Sequence, residues 1–177
     1  MKFLFLEQSI NSMQRFALRL MLVFVAGFFI LGLMHPAIAQ ESKLNYTYSE
    51  LPNSDFSHQS LQAASFARAD VRSSDFTGSD LSRAILTEGK FIDANLTEAN
   101  LTEAFMDQVN MSGANLTNAI LTEAVAPGTN FTDADITGAD FSDALLDRYQ
   151  ISELCKRASG TNSITGIETR YSLNCRN

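Results

Sequence analysis

The chain has 177 residues and a formal net charge of −7, from 20 acidic and 13 basic residues. This length allows one domain, or one domain and a removable segment. An acidic surface repels phosphate backbones and anionic lipid headgroups, so the composition argues against a nucleic-acid-binding protein.

The N-terminal segment has the pattern of a secretory signal peptide. Lys2, Arg15 and Arg19 precede an apolar or glycine run over residues 21–34, which is shorter than the roughly 20 residues of a membrane-spanning helix. Ala-Ile-Ala follows and ends at Ala39, with small residues at the two positions that signal peptidase reads. We therefore predict export with cleavage after Ala39, so that the membrane takes part only during export; an uncleaved membrane anchor is the alternative.

Removal of residues 1–39 changes the charge balance of the remaining chain. It takes away three basic residues and the single acidic residue Glu7, which leaves 10 basic and 19 acidic residues and a net charge of −9. The exported chain is therefore expected to be strongly acidic.

A five-residue repeat organises the next hundred residues. From Leu51 to Leu146 every fifth residue is large and apolar, with Ala126 as the exception. The residue two positions before it is usually small, and the residue directly before it is commonly Asp or Asn. The large positions predict the core, which includes Phe56, Phe76, Leu81, Leu96, Leu101, Leu116, Leu121, Phe131 and Phe141.

A period of five excludes both a long helix and a long strand. Five residues turn by about 500° around an α-helix, so the apolar set would spread over all of its faces. Along a strand, an odd period would move each successive large residue to the opposite side. Two inward positions separated by one outward residue instead fit a short extended segment, and the Asp/Asn and Ser/Thr/Gly that follow favour a turn. Four segments and four turns close a square coil of about twenty residues.

The repeat resembles the pentapeptide-repeat family, whose pattern is A(D/N)LXX. The sequence ANLTE occurs at residues 94–98 and again at 99–103, and the resemblance covers residues 46–148. It implies an all-β fold, a right-handed quadrilateral β-helix of about five coils, with the small and large residues pointing inward. We assign this solenoid to residues 40–146. Pro127 cannot donate a ladder hydrogen bond, which predicts a local irregularity over residues 126–129.

The C-terminal residues 147–177 are predicted to form a helical cap on the open end of the solenoid. Apolar residues at helical spacing predict a helix over 147–158 that ends before Gly160. Cys155 and Cys175 are the only cysteines, and an even count in an exported protein predicts a disulfide. A metal site is the alternative use of these cysteines, but it needs three or four ligands, and two cysteines alone are too few.

The tail carries a second resemblance, on LDRYQISELC at residues 146–155 and GIETRYSLNC at 166–175. It is similar to the tail of exported pentapeptide-repeat proteins from cyanobacteria and from the thylakoid lumen of chloroplasts. The resemblance implies a location in the thylakoid lumen or the periplasm.

The outward positions offer little that predicts catalysis or cofactor binding. One outward column is largely acidic and could bind a cation or share a proton, although a repeat that reuses Glu produces such a column in any case. Another is a hydroxyl ladder of the kind found in ice-binding solenoids, although Thr also suits an exposed strand position. These columns are Arg83, Glu103, Glu123 and Asp143, and Ser57, Thr77, Thr97, Thr117 and Thr137. We predict that the chain is not an enzyme and has no cofactor or metal site.

One outward column departs from the repeat. The position before the large residue is apolar at Ile85, Phe105, Val125 and Leu145, each twenty residues from the next, and at Ile120 in another column. The four aligned residues, the apolar stripe, predict a contact surface for an unknown protein partner or a second copy of the chain. The alternative is that residues 40–48 or the C-terminal helix cover the stripe.

These features favour a non-catalytic scaffold or protein-interaction module that is exported to the thylakoid lumen or the periplasm. The alternative function is that of an acidic rod that resembles duplex DNA and inhibits a gyrase-type topoisomerase. The net charge of −9 fits this alternative, but the signal peptide argues against it because gyrase is cytoplasmic.

Overall fold

The structure, a computed structural model, describes residues 44–176. The predicted signal peptide over residues 1–39, its cleavage site and residues 40–43 lie outside the described residues. None of the helices within residues 44–176 has the length and apolar character needed to cross a membrane.

Residues 45–145 form a coil in which each turn of the chain stacks on the previous one. Parallel bridges join residues twenty apart, from Asn45 with Ser65 at the first rung to Val125 with Leu145 at the last. Each bridge involves a single residue per rung, so the β-structure is a set of short ladders rather than long strands. Four five-residue repeats therefore make one coil, and five coils stack. The right-handed sense of the coil stays a prediction.

Each repeat ends in a tight turn that changes the chain direction. The N–H of the small residue donates to the carbonyl of the large residue before it, as from Ala99 to Leu96 and from Ala104 to Leu101, both at 3.0 Å. The third residue of every turn from Tyr48 to Asp143 has a positive φ, and most of these residues are not glycine. A type II turn has a positive φ at its third residue and a negative φ at its second. The stacked ladders thus hold ordinary residues in a conformation that they rarely adopt by themselves.

The Asp or Asn of the repeat closes the turn that follows it. Oδ1 of Asn115 accepts the backbone N–H of Thr117 at 3.0 Å and its hydroxyl at 2.7 Å, and Asp135 binds Thr137 in the same way at 2.9 and 2.7 Å. These bonds are Asx turns. They explain why the sequence places Ser or Thr two residues after Asp or Asn.

The inward side chains form one continuous core along the coil axis. All nine large residues predicted for the core are buried. At the N-terminal end the rings of Tyr46 and Phe66 stack with centroids 4.7 Å apart, and those of Phe56 and Phe76 stack at 4.8 Å. These distances equal the spacing of neighbouring strands, so aromatic residues twenty apart pack directly on one another.

The backbone stays in register over residues 126–129, so the predicted irregularity is wrong. Bridges continue on both sides, at Val125 and Asn130, and the carbonyl of Pro127 accepts the N–H of Gln108 at 3.1 Å. In many other repeats the N–H at the position of Pro127 donates to an Asp or Asn two residues before it, as Thr117 donates to Asn115. Here that residue is Val125, which cannot accept a hydrogen bond, so the missing N–H of proline removes no bond.

Helix α1, Arg148–Cys155, follows the last coil. A capping box starts it: the Asp147 side chain accepts the N–H of Gln150, and the Gln150 side chain accepts the N–H of Asp147. The helix ends at Cys155, three residues before the end predicted at Ala158, so the predicted C-terminal boundary is wrong. The apolar spacing extends past Cys155 because Ala158 is buried beyond the helix. Gly160 has a φ of +83° and packs so closely that an added Cβ would lie 2.8 Å from the backbone nitrogen of Gly138.

The rest of the tail closes the cap. Cys155 and Cys175 form the predicted disulfide, with their Cα atoms 5.6 Å apart, and a short helix α2, Thr169–Ser172, precedes Cys175. The buried amide of Asn162 donates to the carbonyls of Asn118, Ala119 and Gly138 at 3.0, 3.2 and 2.9 Å. The cap also binds ladder N–H groups at the open edge of the last coil: that of Gly138 donates to the carbonyl of Ser159 at 2.8 Å, and that of Phe141 donates to the Ser172 hydroxyl at 3.0 Å.

Candidate interaction surface

The coil places the four residues of the apolar stripe on consecutive rungs of one face. Bridges join Ile85 to Phe105, Phe105 to Val125, and Val125 to Leu145. Their side chains point away from the core: Ile85, Phe105 and Leu145 are 39, 50 and 59% exposed, and Val125 is half-buried. The stripe is thus a continuous row of apolar side chains on the surface of the described protein.

The repeat loses hydrogen bonds along the apolar stripe. Elsewhere the Asp or Asn at this position accepts the N–H two residues later, and an apolar side chain cannot. In the stripe repeats these N–H groups belong to Thr87, Asp107 and Asp147, while Pro127 has none. Among residues 44–176, only the N–H of Asp147 has a replacement acceptor, the Gln150 side chain at 2.7 Å. A hydrogen bond of this kind contributes about 0.5–1.5 kcal/mol. The apolar residues are therefore not what turn stability alone would favour.

Acidic side chains flank the apolar stripe on both sides. Glu103, Glu123 and Asp143 come two residues before Phe105, Val125 and Leu145 in the same coils, and all three carboxylates are exposed. Asp107 and Asp147 come two residues after the stripe positions of their coils. We call these five carboxylates the acidic rim: Glu103, Asp107, Glu123, Asp143 and Asp147. The acidic column and the apolar stripe, which the sequence shows as separate patterns, thus form one surface.

The surface around Ile85 has a different charge balance. Arg83 lies two residues before Ile85, and the Arg68 guanidinium donates to both carboxylate oxygens of Glu88 at 2.8 and 2.9 Å. Arg68 also donates to the Tyr48 hydroxyl at 2.7 Å and lies over its ring. The hydrogen bonds from Arg68 lower the pKa of Glu88 and keep that carboxylate ionised. Negative charge is therefore concentrated beside the three C-terminal rungs of the stripe.

The described C-terminal cap leaves the apolar stripe exposed. Leu145, three residues before α1, has the largest exposed fraction of the four side chains, so the helix does not cover it. Coverage by the N-terminal segment was the other alternative, and residues 40–43 of that segment lie outside the described residues.

The hydroxyl ladder serves the turns of its own repeats. The hydroxyls of Thr77, Thr97, Thr117 and Thr137 donate to the Asp or Asn two residues before them, at 2.6–2.7 Å. Their hydrogen atoms are already engaged within the protein, which accounts for the ladder without an ice-binding role. Across residues 44–176, no group of three or more His, Cys, Asp or Glu side chains is arranged to hold a metal ion.

The repeat pattern matches the family model for pentapeptide repeats in eight copies, over residues 47–78, 74–113 and 110–148. This chain belongs to the pentapeptide-repeat family. The family resemblance predicted from the ANLTE repeats is confirmed.

One solved pentapeptide-repeat structure supports the β-helical fold. The crystal structure of a pentapeptide repeat protein from the thylakoid lumen of Arabidopsis thaliana is 39% identical, with a TM-score of 0.71, over 72% of this chain and 89% of that chain. A trypsin-treated variant of QnrB1, a plasmid-mediated fluoroquinolone resistance protein, is 18% identical, with a TM-score of 0.36, over 65% of this chain and 90% of that chain. A likeness at that level has no bearing on function.

A curated relative matches a shorter segment. The thylakoid lumenal protein TL20.3 of Arabidopsis thaliana chloroplasts is 60% identical over 40 residues. These residues are 23% of this chain and 14% of that protein, so the match spans about one seventh of the relative's length.

Proposed function

We propose that this pentapeptide-repeat protein is a non-catalytic scaffold that binds a protein partner through the apolar stripe. The observation that carries the proposal is the exposure of Ile85, Phe105 and Leu145 at a position where the repeat elsewhere mostly places Asp, Asn or Ser. Contiguous exposed apolar side chains are typical of contact surfaces. The loss of turn hydrogen bonds at the same positions supports a role outside folding.

The proposed compartment is the thylakoid lumen, with the periplasm as the alternative. Two features of the relatives support it: the 39% identical structure and TL20.3 are both described as thylakoid lumenal proteins. The disulfide between Cys155 and Cys175 fits an oxidising compartment, and the predicted cleavage after Ala39 fits export. Mass spectrometry of the protein isolated from thylakoid lumen is expected to find Gln40 at the N-terminus. An intact Met1 would contradict cleavage.

A gyrase-type inhibitor is the second candidate, and the acidic charge is the observation that favours it. A DNA mimic, however, needs negative charge along its rod, whereas this face carries four apolar side chains in a row. Loss of gyrase supercoiling activity on addition of the processed chain would support the inhibitor; unchanged supercoiling is expected.

Partner capture by crosslinking tests the proposed scaffold. Phe105 lies near the middle of the apolar stripe, and Phe105→Glu places a charge there without touching the core. Ile120→Glu is the matched control, because Ile120 occupies the same position of the repeat in a different column. We expect Phe105→Glu to melt within a few degrees of the wild type. We also expect it to lose partners that wild type and Ile120→Glu retain after crosslinking in the native compartment.

The melting measurement separates loss of binding from loss of folding. If Phe105→Glu folds and still crosslinks to every wild-type partner, the apolar stripe is not the contact surface. Equal loss of partners in Phe105→Glu and Ile120→Glu would also count against it, because the effect would then not be specific to the stripe.

A further inference from the structure

The charge and spacing of the apolar stripe specify what kind of partner segment fits it. Resting on the proposed function, we infer that the stripe binds one amphipathic α-helix of a partner protein, with Lys or Arg on both flanks of its apolar face. The inference rests on three features: the length of the stripe, the repeat distance of its side chains and the charge of its rim.

The length and spacing of the stripe match an α-helix. Its four side chains lie on consecutive rungs, so with about 4.8 Å per rung the row from Ile85 to Leu145 is about 14 Å long. A helix presents an apolar residue on one face once per turn, about every 5.4 Å, and about ten residues cover 15 Å. The two spacings differ by about 0.6 Å per rung, or about 2 Å over the whole row, which side-chain rotation can absorb. A short helix can therefore contact all four rungs.

The acidic rim selects the charge of that helix. A helix with its side chains is about 10 Å wide, so one that lies on the stripe extends over Glu103, Glu123 and Asp143 on one side and Asp107 and Asp147 on the other. Basic side chains on both flanks would face these carboxylates. Acidic side chains there would meet like charges, which raises the free energy of the complex. The positive flanks are needed most beside the three C-terminal rungs, because Arg83 and the paired Arg68 and Glu88 lie near Ile85.

A second copy of this chain fits the surface poorly. A symmetric contact would bring two acidic rims together, between chains of net charge −9 after signal-peptide removal. The row is also small: about 14 by 10 Å gives about 150 Å², whereas a stable interface buries about 800 Å² per partner. Anionic lipid is disfavoured by the same carboxylates. A single helix avoids the repulsion and needs only a small, transient interface.

A synthetic helix provides the test. The probe is a fluorescent peptide of about 14 residues, held helical by a lactam bridge, with Leu on one face and Lys on both flanks. The matched peptide has Glu in place of every Lys. Binding to the full processed chain is measured by fluorescence anisotropy, with Phe105→Gln as the stripe variant and Ile120→Gln as its control.

We expect the Lys peptide to bind the wild type at least about tenfold more tightly than the Glu peptide does. Phe105→Gln should weaken binding of the Lys peptide by about tenfold or more, and Ile120→Gln should weaken it by less than about twofold. Binding should weaken several-fold between about 20 mM and about 500 mM salt, because salt screens the rim. The double variant Glu103→Gln/Glu123→Gln should weaken it at low salt and reduce that salt dependence.

Equal binding of the Lys and Glu peptides, or undiminished binding to Phe105→Gln, would overturn the inference. The result is separable from the proposed function. If native partners still require Phe105 in the crosslinking experiment but the Lys peptide does not bind, the helix inference fails and the scaffold stands. If partner capture does not depend on Phe105, both fail.

Discussion

Gln150 joins the cap to the last coil, and its replacement tests how much the cap stabilises the solenoid. Its side-chain amide donates to the carbonyls of Ala126 and Thr129 at 2.9 and 2.8 Å, and its side-chain oxygen accepts the N–H of Asp147 at 2.7 Å. The residue is buried, so water does not readily replace these contacts. Gln150→Ala therefore removes three hydrogen bonds and deprives two carbonyls of this donor.

The expected loss of stability follows from these bonds. A net contribution of about 0.5–1.5 kcal/mol per hydrogen bond gives about 2–4 kcal/mol for three. A folded unit of this size loses roughly 3–4 °C in melting temperature per kcal/mol, so Gln150→Ala should melt about 6–16 °C below the wild type. Gln108→Ala is the control, because Gln108 is exposed and its side chain donates one hydrogen bond, to the Asp107 carboxylate at 3.3 Å. That control should change the free energy of unfolding by less than about 0.5 kcal/mol.

Gln150→Glu separates the two halves of the contact. A carboxylate can still accept the N–H of Asp147 but cannot donate to the two carbonyls, and it places negative charge beside them. Burial next to two carbonyls should raise the pKa of this Glu above its unfolded value of about 4.3. A raised pKa adds stability that is fully present below about pH 4.3 and is lost as the pH rises through the folded pKa. Relative to wild type, Gln150→Glu should therefore be weakest at neutral pH and recover on acidification.

Calorimetry or circular dichroism measures these melting temperatures, and hydrogen exchange locates the loss. Exchange should accelerate first in the last coil, near Ala126 and Thr129, because the coils contact only their neighbours. If Gln150→Ala melts at the same temperature as Gln108→Ala and leaves hydrogen exchange in the last coil unchanged, the amide contacts do not stabilise the solenoid.

Three further changes test the tail and the turns. Cys175→Ser, or reduction of the disulfide, should lower the free energy of unfolding by about 3 kcal/mol, since the bridge closes a loop of about 21 residues; melting that is unchanged by reductant would contradict this. Asn162→Ala should cost about 2–4 kcal/mol in chemical denaturation, because its buried amide donates to three carbonyls, and a loss below about 0.5 kcal/mol would mean that these bonds are idle. Hydrogen bonds from Thr137, chiefly from its hydroxyl and also from its backbone N–H, lower the pKa of Asp135. The ionised carboxylate should therefore stabilise the folded protein above about pH 3.9, and this contribution should be lost as the pH falls through the folded pKa. Asp135→Asn should therefore flatten that part of the acid dependence of melting, and an unchanged pH profile would refute the assignment.

The solenoid could be predicted from sequence because its geometry is local and repeated. Each five-residue unit solves the same problem, so the position of Leu96 in its repeat determines that it is buried, as the position of Phe105 determines that it is exposed. Counting in twenties then aligns Phe105 with Ile85 and Val125 without further information. Handedness does not follow from the counting, because the same period fits either hand.

The cap could be predicted only in outline. Its contacts are single events with no repeat to reveal them, so nothing in the sequence connects Asn162 with Asn118, forty-four residues earlier. The end of the helix was mispredicted because Ala158 is buried although it lies outside the helix. A non-helical turn after Cys155, and not a further turn of helix, brings it to the core. The capping box at Asp147 and Gln150 was the available local signal, but the docking of Gln150 onto the coil depends on tertiary structure. Pro127 was misjudged because a missing N–H matters only where an acceptor exists.

The stacking of residues twenty apart means that changes in chain length have two separate effects. The core needs a large residue every five positions, so loss of one repeat, such as residues 96–100, would keep every inward side chain in place. The outward columns need multiples of twenty, so the same deletion would move all later residues around the rod by one side. Ile85 would then no longer share a side with Phe105 and Leu145. Over evolution, loss or gain of one repeat would therefore rearrange the apolar stripe in a single step while the core stayed intact. Only loss or gain of four repeats would preserve the alignment of the stripe.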